Sequence, residues 1–368
     1  MLMRILHVID QIGVEYGGSA MAARKLSKAL AGFGHDVTVY SSDSSAYMEV
    51  PDVPKLQNFE VVYSYQDSIR ITPSMIYADF DGFDIIHCHN YYTFQNFIAR
   101  LRNRKTPMIL QPHGTFVMYD PLINKPRFLH KLTDWPWRRA FLSKMHSILC
   151  VSWMELAQAN RLSLRNLELI PNGVDMSEYA ELPSPGRFRD RYNIKDSEKV
   201  ILYIGRHHIL KGLDILLGVF QNTKNKNNRL AVVGAFGQER SEDNLLFCPA
   251  LYGTKKLEAY VDADVVVLPS RYDVFGITAL EALACGTPVV ASLNCGIKDF
   301  VSEPLIYYSY FADLNDAIQD VLNSDTKNEF KKARINKAKK FDWPIIAKQV
   351  EGIYCELVGQ TGATGNRA

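Results

Sequence analysis

The stretch 265–292, "VVVLPSRYDVFGITALEALACGTPVVAS", has the pattern of a strand, a short helix and a second strand. The apolar, β-branched runs at 265–269 and 288–292 predict buried strands, and a helix is predicted to begin near Ile277 or Thr278. Two strands joined by a helix are typical of a parallel sheet that is covered by helices. We therefore expect an α/β fold.

The same alternation of strands and helices continues along the chain. Further strands are predicted at 4–9, 36–40, 84–87, 108–110, 147–151 and 167–170, and again at 200–205, 230–234 and 245–248. Residues 179–199 separate the two sets; they are polar, contain two prolines and a glycine, and lack an apolar stripe. The sequence therefore predicts two Rossmann-like domains, 1–178 and 200–340, with 179–199 as a linker.

The last part of the chain predicts one more helix. Apolar residues recur at helical spacing over 344–358, which gives this segment one apolar face. Residues 359–368 are small and polar, so we expect them to be frayed.

Composition excludes several classes of protein. The 368 residues carry a formal net charge of only +2, which gives no reason to expect a nucleic-acid partner. The six cysteines are scattered without a C-x-x-C pair, as is typical of reduced cysteines in a cytoplasmic protein. The apolar run at the start is short and ends at Asp10, so we interpret it as a first strand and not as a signal peptide.

Polar residues follow several of the predicted strands, where α/β folds bind their ligands. Gly17 and Gly18 open the first helix and would let backbone amides approach a phosphate. Arg206 and Lys211 follow the strand at 200–205, and together they would form a clamp for a diphosphate. Taken alone, a glycine pair for tight packing and a solvated basic loop remain the alternatives.

Asp273 and Glu281 lie eight positions apart, on either side of the predicted helix start. The backbone amides of 274–278 would be free there and would attract an anion, supported by the helix dipole. Carboxylates repel phosphates, so Asp273 and Glu281 are better suited to accept hydrogen bonds from sugar hydroxyls. A nucleotide sugar carries ribose hydroxyls, a diphosphate and sugar hydroxyls together.

With these motifs the chain resembles the E-x7-E retaining glycosyltransferases of family 4. The resemblance spans nearly the whole chain and rests on "GG" before a helix, "GHDVTVY", "DIIHCHN", "QPHGTF", "IPNGVD", "GRHHILKG", the block 273–288 and "FDWPIIAKQV". It implies the GT-B fold, in which two Rossmann-like domains with parallel sheets face each other across a cleft and the final helix packs back on the first domain. It also implies transfer of a sugar from a nucleotide diphosphate to an acceptor hydroxyl with retention, without an essential metal or other cofactor.

The resemblance also implies roles for single residues. Arg206 and Lys211 match the diphosphate ligands, Glu281 matches the ribose ligand, and Asp273 matches the carboxylate that meets the donor sugar. The remaining matches are the amides at the sugar and phosphate (Phe275, Gly276, Ile277 and Thr278), the loop that closes on the diphosphate (Gly17 and Gly18), and the histidine that faces the donor sugar (His113).

Two positions depart from the family pattern. The first Glu of the signature is Asp273 here, and the usual Gly-Gly-x-Pro-Glu is "CGIKD" at 295–299. One methylene moves a carboxylate by about 1.5 Å, so we expect a changed donor preference more than a loss of activity.

Asp-x-Asp pairs, which hold a divalent metal in other transferases, occur at 79–81 and 262–264. The first precedes a strand and the second lies at a turn between a helix and a strand. We therefore favour a structural role for both pairs and expect no metal site.

Residues 124–144, "NKPRFLHKLTDWPWRRAFLSK", contain six Lys or Arg residues, one Asp and several aromatic and aliphatic side chains. This mixture suits peripheral contact with an anionic membrane surface, such as the inner face of the cell membrane. A solvated basic helix over the core of the first domain is an equal alternative.

The sequence thus predicts a transferase that moves a hexose from a UDP- or GDP-sugar to a glycan or lipid-linked acceptor in cell-envelope glycan synthesis. The alternatives are a nucleotide-sugar epimerase, an inverting transferase of the same fold, and a non-catalytic protein that binds nucleotide sugars.

Overall fold

A computed structural model of the chain describes residues 1–13, 17–42, 53–61, 63–65, 69–119, 141–222, 227–235 and 239–365. The strands are β1 Arg4–Val8, β2 Asp36–Ser41, β3 Leu56–Asn58, β4 Tyr63–Tyr65, β5 Ile69–Ile71, β6 Ile85–His89, β7 Met108–Gln111, β8 Ser147–Cys150, β9 Leu167–Leu169, β10 Lys199–Ile204, β11 Asn228–Val233, β12 Arg240–Glu242, β13 Leu245–Cys248, β14 Val265–Leu268, β15 Val289–Ser292 and β16 Tyr307–Ser309. The α-helices are α1 Gly18–Gly32, α2 Phe94–Arg102, α3 Trp153–Arg161, α4 Arg187–Arg191, α5 Leu213–Asn222, α6 Gly253–Asp262, α7 Ile277–Ala284, α8 Leu314–Asn323, α9 Thr326–Glu329, α10 Lys331–Lys339 and α11 Trp343–Gly365.

The chain divides into two compact units. The first comprises Met1–Asn172 together with Trp343–Ala368, and the second comprises Gly173–Asp342. Each contains one seven-stranded sheet, so the predicted α/β class with two parallel-sheet domains is confirmed.

The sheet of the first unit has the strand order β3-β2-β1-β6-β7-β8-β9, and all its neighbours are parallel. Alternate side chains of its strands face opposite sides. On one side, Ile5 and Ile85 lie in a buried cluster with Leu26 of α1 and with Ile346 and Val350 of α11. The final helix is therefore part of the first unit's core.

The sheet of the second unit has the strand order β12-β13-β11-β10-β14-β15-β16. Its neighbours are parallel except for the antiparallel pair β12 and β13 at one edge. In both sheets the first strand of the unit lies in the interior of the sheet, and the strand order reverses direction beside it, at β1/β6 and at β10/β14. Crevices at such reversal points are where open α/β sheets bind ligands.

The structure differs from the sequence prediction in the segment 179–199. These residues, predicted as a linker, lie inside the second unit and include α4. The Asp262 carboxylate accepts hydrogen bonds from the backbone N–H groups of Gly186, Phe188 and Arg189 at distances of 2.6 to 3.1 Å. A buried acidic group thus caps a polar helix whose sequence lacks the apolar stripe that would have revealed it.

The end of the chain differs as well. The final helix was expected over 344–358 with a frayed tail, whereas α11 runs from Trp343 to Gly365. Pro344 stands at its second residue, where a missing N–H costs no intrahelical bond.

Among the described residues, no helix combines the length and the apolar character that a membrane span requires.

Candidate active site

In the second unit, the segments that follow β10 and β14 lie side by side because these two strands are parallel neighbours. Arg206, Lys211 and the turn Ile209–Lys211 follow β10, and residues 270–276 follow β14. Most of the polar residues predicted for the donor site are thereby brought to one edge of one sheet.

Lys211 and Asp273 form an ion pair at this edge. The Lys211 Nζ lies 2.7 Å from Asp273 Oδ2, and the two side chains are 34% and 13% exposed. The backbone of Asp273 is held as well, since its N–H donates to Asn294 O at 3.1 Å and its carbonyl accepts from Gly296 N–H at 2.9 Å. The loop after β15 therefore fixes the position of the carboxylate.

Arg206 has an exposed side chain that makes no hydrogen bond or ion pair with any described residue. Beyond it, His208 Nδ1 accepts a hydrogen bond from Leu210 N–H at 3.2 Å and so caps the turn that carries Lys211. Partial burial lowers the pKa of His208, and the charges of Arg206 and Lys211 lower it further. A neutral His208 is the form that can accept this bond.

Glycine is required in both loops of this site, after the turn Ile209–Lys211 and before α7. Gly212 and Gly276 have φ angles of 67° and 93°, in the left-handed region. A Cβ atom at Gly212 would collide with the carbonyl oxygen of Pro269, and one at Gly276 would collide with Cys295 Sγ. The two glycines therefore let the loops approach each other closely.

Gly276 is the N-cap residue of α7, and it offers no side chain to the helix. The backbone N–H groups of Ile277 and Thr278 have no acceptor among the described residues, as expected for the first turn of a helix. These amides and the positive end of the helix dipole are suited to bind an anion.

Glu281 has a different set of partners from Asp273. It is 7% exposed; its Oε1 lies 2.7 Å from Lys256 Nζ, and its Oε2 accepts from the Tyr260 hydroxyl at 2.7 Å. Each of the two carboxylates thus has its own lysine.

The Glu281 carboxylate raises the pKa values of Lys256 and Tyr260. Burial alone would lower the pKa of Lys256, but the Glu281 carboxylate outweighs it and raises that pKa. Burial, and then the same carboxylate, raises the pKa of Tyr260 well above its ordinary value. At neutral pH, therefore, a charged lysine and a neutral phenol both donate to Glu281.

In the first unit, His113 follows β7 with a φ of 54°, and Gly114 follows with a φ of 85°. The Glu155 carboxylate, which is fully buried, accepts from Gly114 N–H at 2.5 Å and from Val151 N–H at 2.9 Å. Burial raises the pKa of Glu155 to about 7, although the two backbone bonds oppose the shift. Glu155 thus ties this left-handed loop to the segment between β8 and α3.

Three more histidines lie beside His113. His7 on β1 and His87 and His89 on β6 are fully buried, and their ring nitrogens lie within 4.8 Å of one another. That spacing is compatible with a metal ligand set, but His7 Nδ1 and His89 Nε2 face each other at 2.9 Å, a hydrogen-bond distance. No Cys, Asp or Glu of the described residues joins the three to complete a set.

Two family models match the chain, one after the other. The model described as Glycosyltransferase Family 4 matches residues 16–178, and the model described as Glycosyl transferases group 1 matches residues 186–341. The chain belongs to glycosyltransferase family 4. The resemblance that the sequence motifs indicated is thereby confirmed.

Among the relatives of this glycosyltransferase is an uncharacterized glycosyltransferase, MJ1607, of Methanocaldococcus jannaschii. The two are 26% identical over 94% of this chain and 96% of the relative. D-inositol 3-phosphate glycosyltransferases are also similar, for example that of Corynebacterium aurimucosum with 29% identity over 52% of each chain. The chain spans about half the length of those curated relatives.

Solved structures confirm the GT-B fold of this glycosyltransferase. Sucrose-phosphate synthase from Thermosynechococcus elongatus superimposes with a TM-score of 0.78 at 21% identity, over 97% of this chain and all of the other. Anabaena HepE in complex with UDP and glucose superimposes with a TM-score of 0.76 at 15% identity, over 95% of this chain and 99% of the other.

The predicted site residues of the glycosyltransferase fall into two groups. The second unit brings together Arg206, Lys211, Asp273 and the segment Phe275 to Thr278, with Glu281 one turn further along α7. Gly17, which has a φ of 84° and caps α1, lies with Gly18 and His113 in the first unit.

Sequence reasoning missed four residues that contact these groups: Lys256, Tyr260, Cys295 and His89. Lys256 and Tyr260 lie on α6, one turn apart on one helix face, a spacing that could have suggested a shared partner but not which one. His89 was visible in the motif "HCH", whose alternation places His87 and His89 on the same side of a strand.

The basic segment 124–144 lies mostly outside the described residues. Of the apolar residues that were predicted to anchor it to a membrane, Phe141 and Leu142 are described, and both are buried in the core of the first unit. The prediction that Phe141 and Leu142 contact a membrane surface is therefore wrong.

Proposed function

We propose that this glycosyltransferase transfers a hexose, with retention, from a UDP- or GDP-sugar to a hydroxyl group of a glycan or lipid-linked acceptor. The observation that carries the proposal is the cluster of residues at the carboxyl ends of β10 and β14. There the ion pair of Lys211 and Asp273 and the exposed Arg206 lie beside the open N-terminus of α7. This cluster offers cations and amides for a diphosphate and a carboxylate for sugar hydroxyls.

Each part of the donor has a suitable partner in the second unit. Arg206 and Lys211 would bind the diphosphate oxygens, together with the amides of Ile277 and Thr278. Asp273 would accept from a hydroxyl of the transferred sugar. Glu281 retains lone pairs beyond its bonds to Lys256 and Tyr260, so it can accept from a ribose hydroxyl.

Transfer with retention can proceed on one face of the sugar. The bond from the anomeric carbon to the phosphate oxygen breaks while the bond to the acceptor oxygen forms on the same side, and the leaving phosphate takes the acceptor's proton. Arg206 and Lys211 would stabilise the negative charge that grows on that phosphate. The proposal includes no essential metal, as the resemblance to the family implies.

The solved structures support a nucleotide-sugar donor. HepE, which shares the fold, was solved with UDP-glucose, and the catalytic domain of starch synthase IV from Arabidopsis thaliana was solved with ADP and acarbose. Both likenesses are at 15% identity, so they bear on the class of donor and not on its base or sugar.

A thermal-shift screen against UDP-, GDP- and ADP-sugars tests the proposal. A ligand at a hundred times its Kd stabilises the folded state by about 2.7 kcal/mol, so one nucleotide series should raise the melting temperature clearly. Absence of a shift with every series at saturating concentration would overturn the donor site.

Variants place the site. Arg206→Ala and Lys211→Ala should each remove most of the shift, because each deletes a cation facing the diphosphate. Lys195→Ala is the matched control, since Lys195 is an exposed lysine of the same unit that precedes β10, whereas Arg206 and Lys211 follow it. If the ligand raises the melting temperature equally in all three variants, the donor does not bind at Arg206 and Lys211.

Product analysis separates the alternatives. The anomeric configuration of the product, measured by NMR coupling constants, should match that of the donor. An inverted product indicates the inverting class, and a changed sugar without transfer indicates an epimerase.

A lipid-linked acceptor would be reached at a membrane surface, and the basic aromatic segment 124–140 is the proposed contact. Co-sedimentation with vesicles that contain anionic lipid should fall when Lys131, Arg138 and Arg139 are changed to Glu. Neutral vesicles are the control, and equal binding to both kinds would contradict an electrostatic contact.

A further inference from the structure

The buried histidines of the first unit form a hydrogen-bonded row that ends at His113. His7 Nδ1 lies 2.9 Å from His89 Nε2, and His89 Nδ1 lies 2.9 Å from His113 Nε2. Both contacts join two ring nitrogens, so in each of them one nitrogen must donate and the other must accept. The row can therefore carry its protons in only two directions.

Ser27 on α1 decides between these directions. Its hydroxyl lies 2.7 Å from the carbonyl oxygen of Ala23, to which it donates its single proton. The same oxygen lies 3.3 Å from His7 Nδ1, and it can then only accept. We therefore place the proton of His7 on Nδ1, where it is shared between His89 Nε2 at 2.9 Å and the more distant Ser27 Oγ at 3.3 Å.

The rest of the row follows from this assignment. A proton on His7 Nδ1 makes His89 Nε2 an acceptor, and neutral His89 then carries its proton on Nδ1 and donates to His113 Nε2. His113 in turn must hold its proton on Nδ1. The opposite direction would leave a proton on His7 Nε2, a fully buried atom that has no partner among the described residues.

The surroundings keep all members of the row neutral. Burial lowers the pKa of His7 and of His113 to about 3, and it lowers that of His89 well below the ordinary value. His87 lies beside the row with its ring centroid 4.4 Å from that of His89, and the Tyr354 hydroxyl of α11 contacts its Nδ1 at 2.6 Å. No carboxylate of the described residues bonds to any of the four rings.

We propose that His7 and His89 are positioning residues that fix His113 as the neutral tautomer protonated on Nδ1. His113 then acts as a hydrogen-bond donor to an oxygen of the donor sugar and not as a general base, because its Nε2 lone pair is occupied by His89. The Nδ1 atom makes no hydrogen bond with a described residue and is left for the ligand. This inference rests on the proposed function for the role of the ligand, but the tautomer itself does not.

NMR of the ligand-free protein tests the tautomer. In protein labelled with 15N-histidine, long-range proton–nitrogen correlations distinguish the two tautomers and the charged form of each ring. Single His→Gln variants at positions 7, 89 and 113 assign the three signals among the nine histidines of the chain. At pH 7.5 all three should be protonated on Nδ1; a His113 that is charged or protonated on Nε2 overturns the proposal.

A pair of variants at position 89 tests the positioning role. The side-chain amide of His89→Asn can replace the Nδ1–H donor to His113, whereas His89→Leu removes it. His89→Leu should weaken UDP-glucose binding about tenfold or more and leave UDP binding unchanged, since His113 touches the sugar only, and His89→Asn should restore most of the loss.

The outcomes separate the two proposals. Equal losses for UDP and UDP-glucose in His89→Leu, or no rescue by Asn, would show that His89 serves only the fold. Failure of the wild-type protein to bind UDP, GDP or ADP sugars would refute the proposed function, while the NMR result would still decide the tautomer. Should His89→Leu fail to fold, the Asn and Gln variants retain the NMR test.

Discussion

At the scale of single residues, Asp273 is one of the two positions where this chain departs from the family pattern. Asp273 pairs with Lys211 at 2.7 Å, and the loop after β15 fixes its backbone from both sides. In the proposed donor site, the carboxylate that would meet the sugar is therefore paired with the lysine that would meet the diphosphate.

The change Asp273→Glu should alter donor preference and not donor binding in general. The extra methylene moves the carboxylate by about 1.5 Å, which should lower kcat/KM for the preferred donor by about 10- to 100-fold. UDP affinity should stay near the wild-type value, since UDP lacks the transferred hexose that Asp273 would contact. Steady-state rates with a panel of UDP-hexoses, alongside isothermal titration with UDP, measure both effects.

Asp196→Glu is the control for this change, because Asp196 is an exposed carboxylate of the same unit. If Asp273→Glu is inactive with every donor while the wild type is active, position 273 sets activity and not preference.

At the scale of elements, the N-terminus of α7 depends on a close approach of two loops. Gly276 has a φ of 93°, and a Cβ atom there would collide with Cys295 Sγ. The helix start that presents amides to the site is thus fixed by packing as well as by backbone conformation.

Gly276→Ala should be more destabilising than a left-handed φ alone explains. Gly186 has a φ of 100° with no atom within 4 Å of its added Cβ, so Gly186→Ala measures the conformational cost alone, about 1 to 2 kcal/mol. Gly276→Ala should exceed it by about 1 kcal/mol or more because of the collision. Urea unfolding monitored by circular dichroism gives both values.

The double variant Gly276→Ala with Cys295→Ala should recover part of that excess, because it removes the colliding sulfur. Equal costs for the two single glycine variants would show that the loop after β15 can move aside.

The positions of the helices and strands were more predictable from the sequence than the contacts between distant residues. Strand β13 lies where its apolar run predicted it, and α7 begins at Ile277, because a run of buried apolar residues is a local signal. The short strands β3 and β16 were missed, and α4 was taken for a linker, because exposed or three-residue elements carry too few apolar positions to show a period. Contacts such as Glu281 with Lys256 depend on how distant segments meet, which no local pattern contains.

At the scale of the whole molecule, three fully buried neutral histidines make the first unit sensitive to acid. His7, His87 and His89 have folded-state pKa values far below 6.5, mainly because of burial. Below pH 6.5 the unfolded chain takes up these protons and the folded chain does not, so their contribution is present above pH 6.5 and is lost as the pH falls. Each group reaches its full slope of roughly 1.4 kcal/mol per pH unit only well below pH 6.5, so the three together should lower the unfolding free energy by about 4 kcal/mol over the two units from pH 7.5 to 5.5. His113, whose pKa burial lowers to about 3, adds to this loss, and Glu155, whose pKa burial raises to about 7, opposes it by a similar amount.

Tryptophan fluorescence can follow this loss in the first unit alone. The four tryptophans of the chain, at positions 135, 137, 153 and 343, all belong to the first unit. Guanidinium unfolding between pH 7.5 and 5.5 should show this loss, and His87→Gln should reduce the loss by about one third whatever it does to stability at pH 7.5. A slope of one proton or less in the wild type would contradict the burial of neutral rings.

The helix α11 gives the first unit an unusual order of assembly during synthesis. Its Tyr354 contacts His87 and its Glu351 contacts His35, yet residues 173–342 are translated in between. At 5 to 20 residues per second, the ribosome needs about 10 to 30 s to make that insertion. Throughout that time the nascent first unit exposes the apolar side chains that Ile346 and Val350 will later cover. The second unit, whose sequence is continuous, can fold during this wait, so a chaperone that holds nascent chains would bind the first unit and not the second.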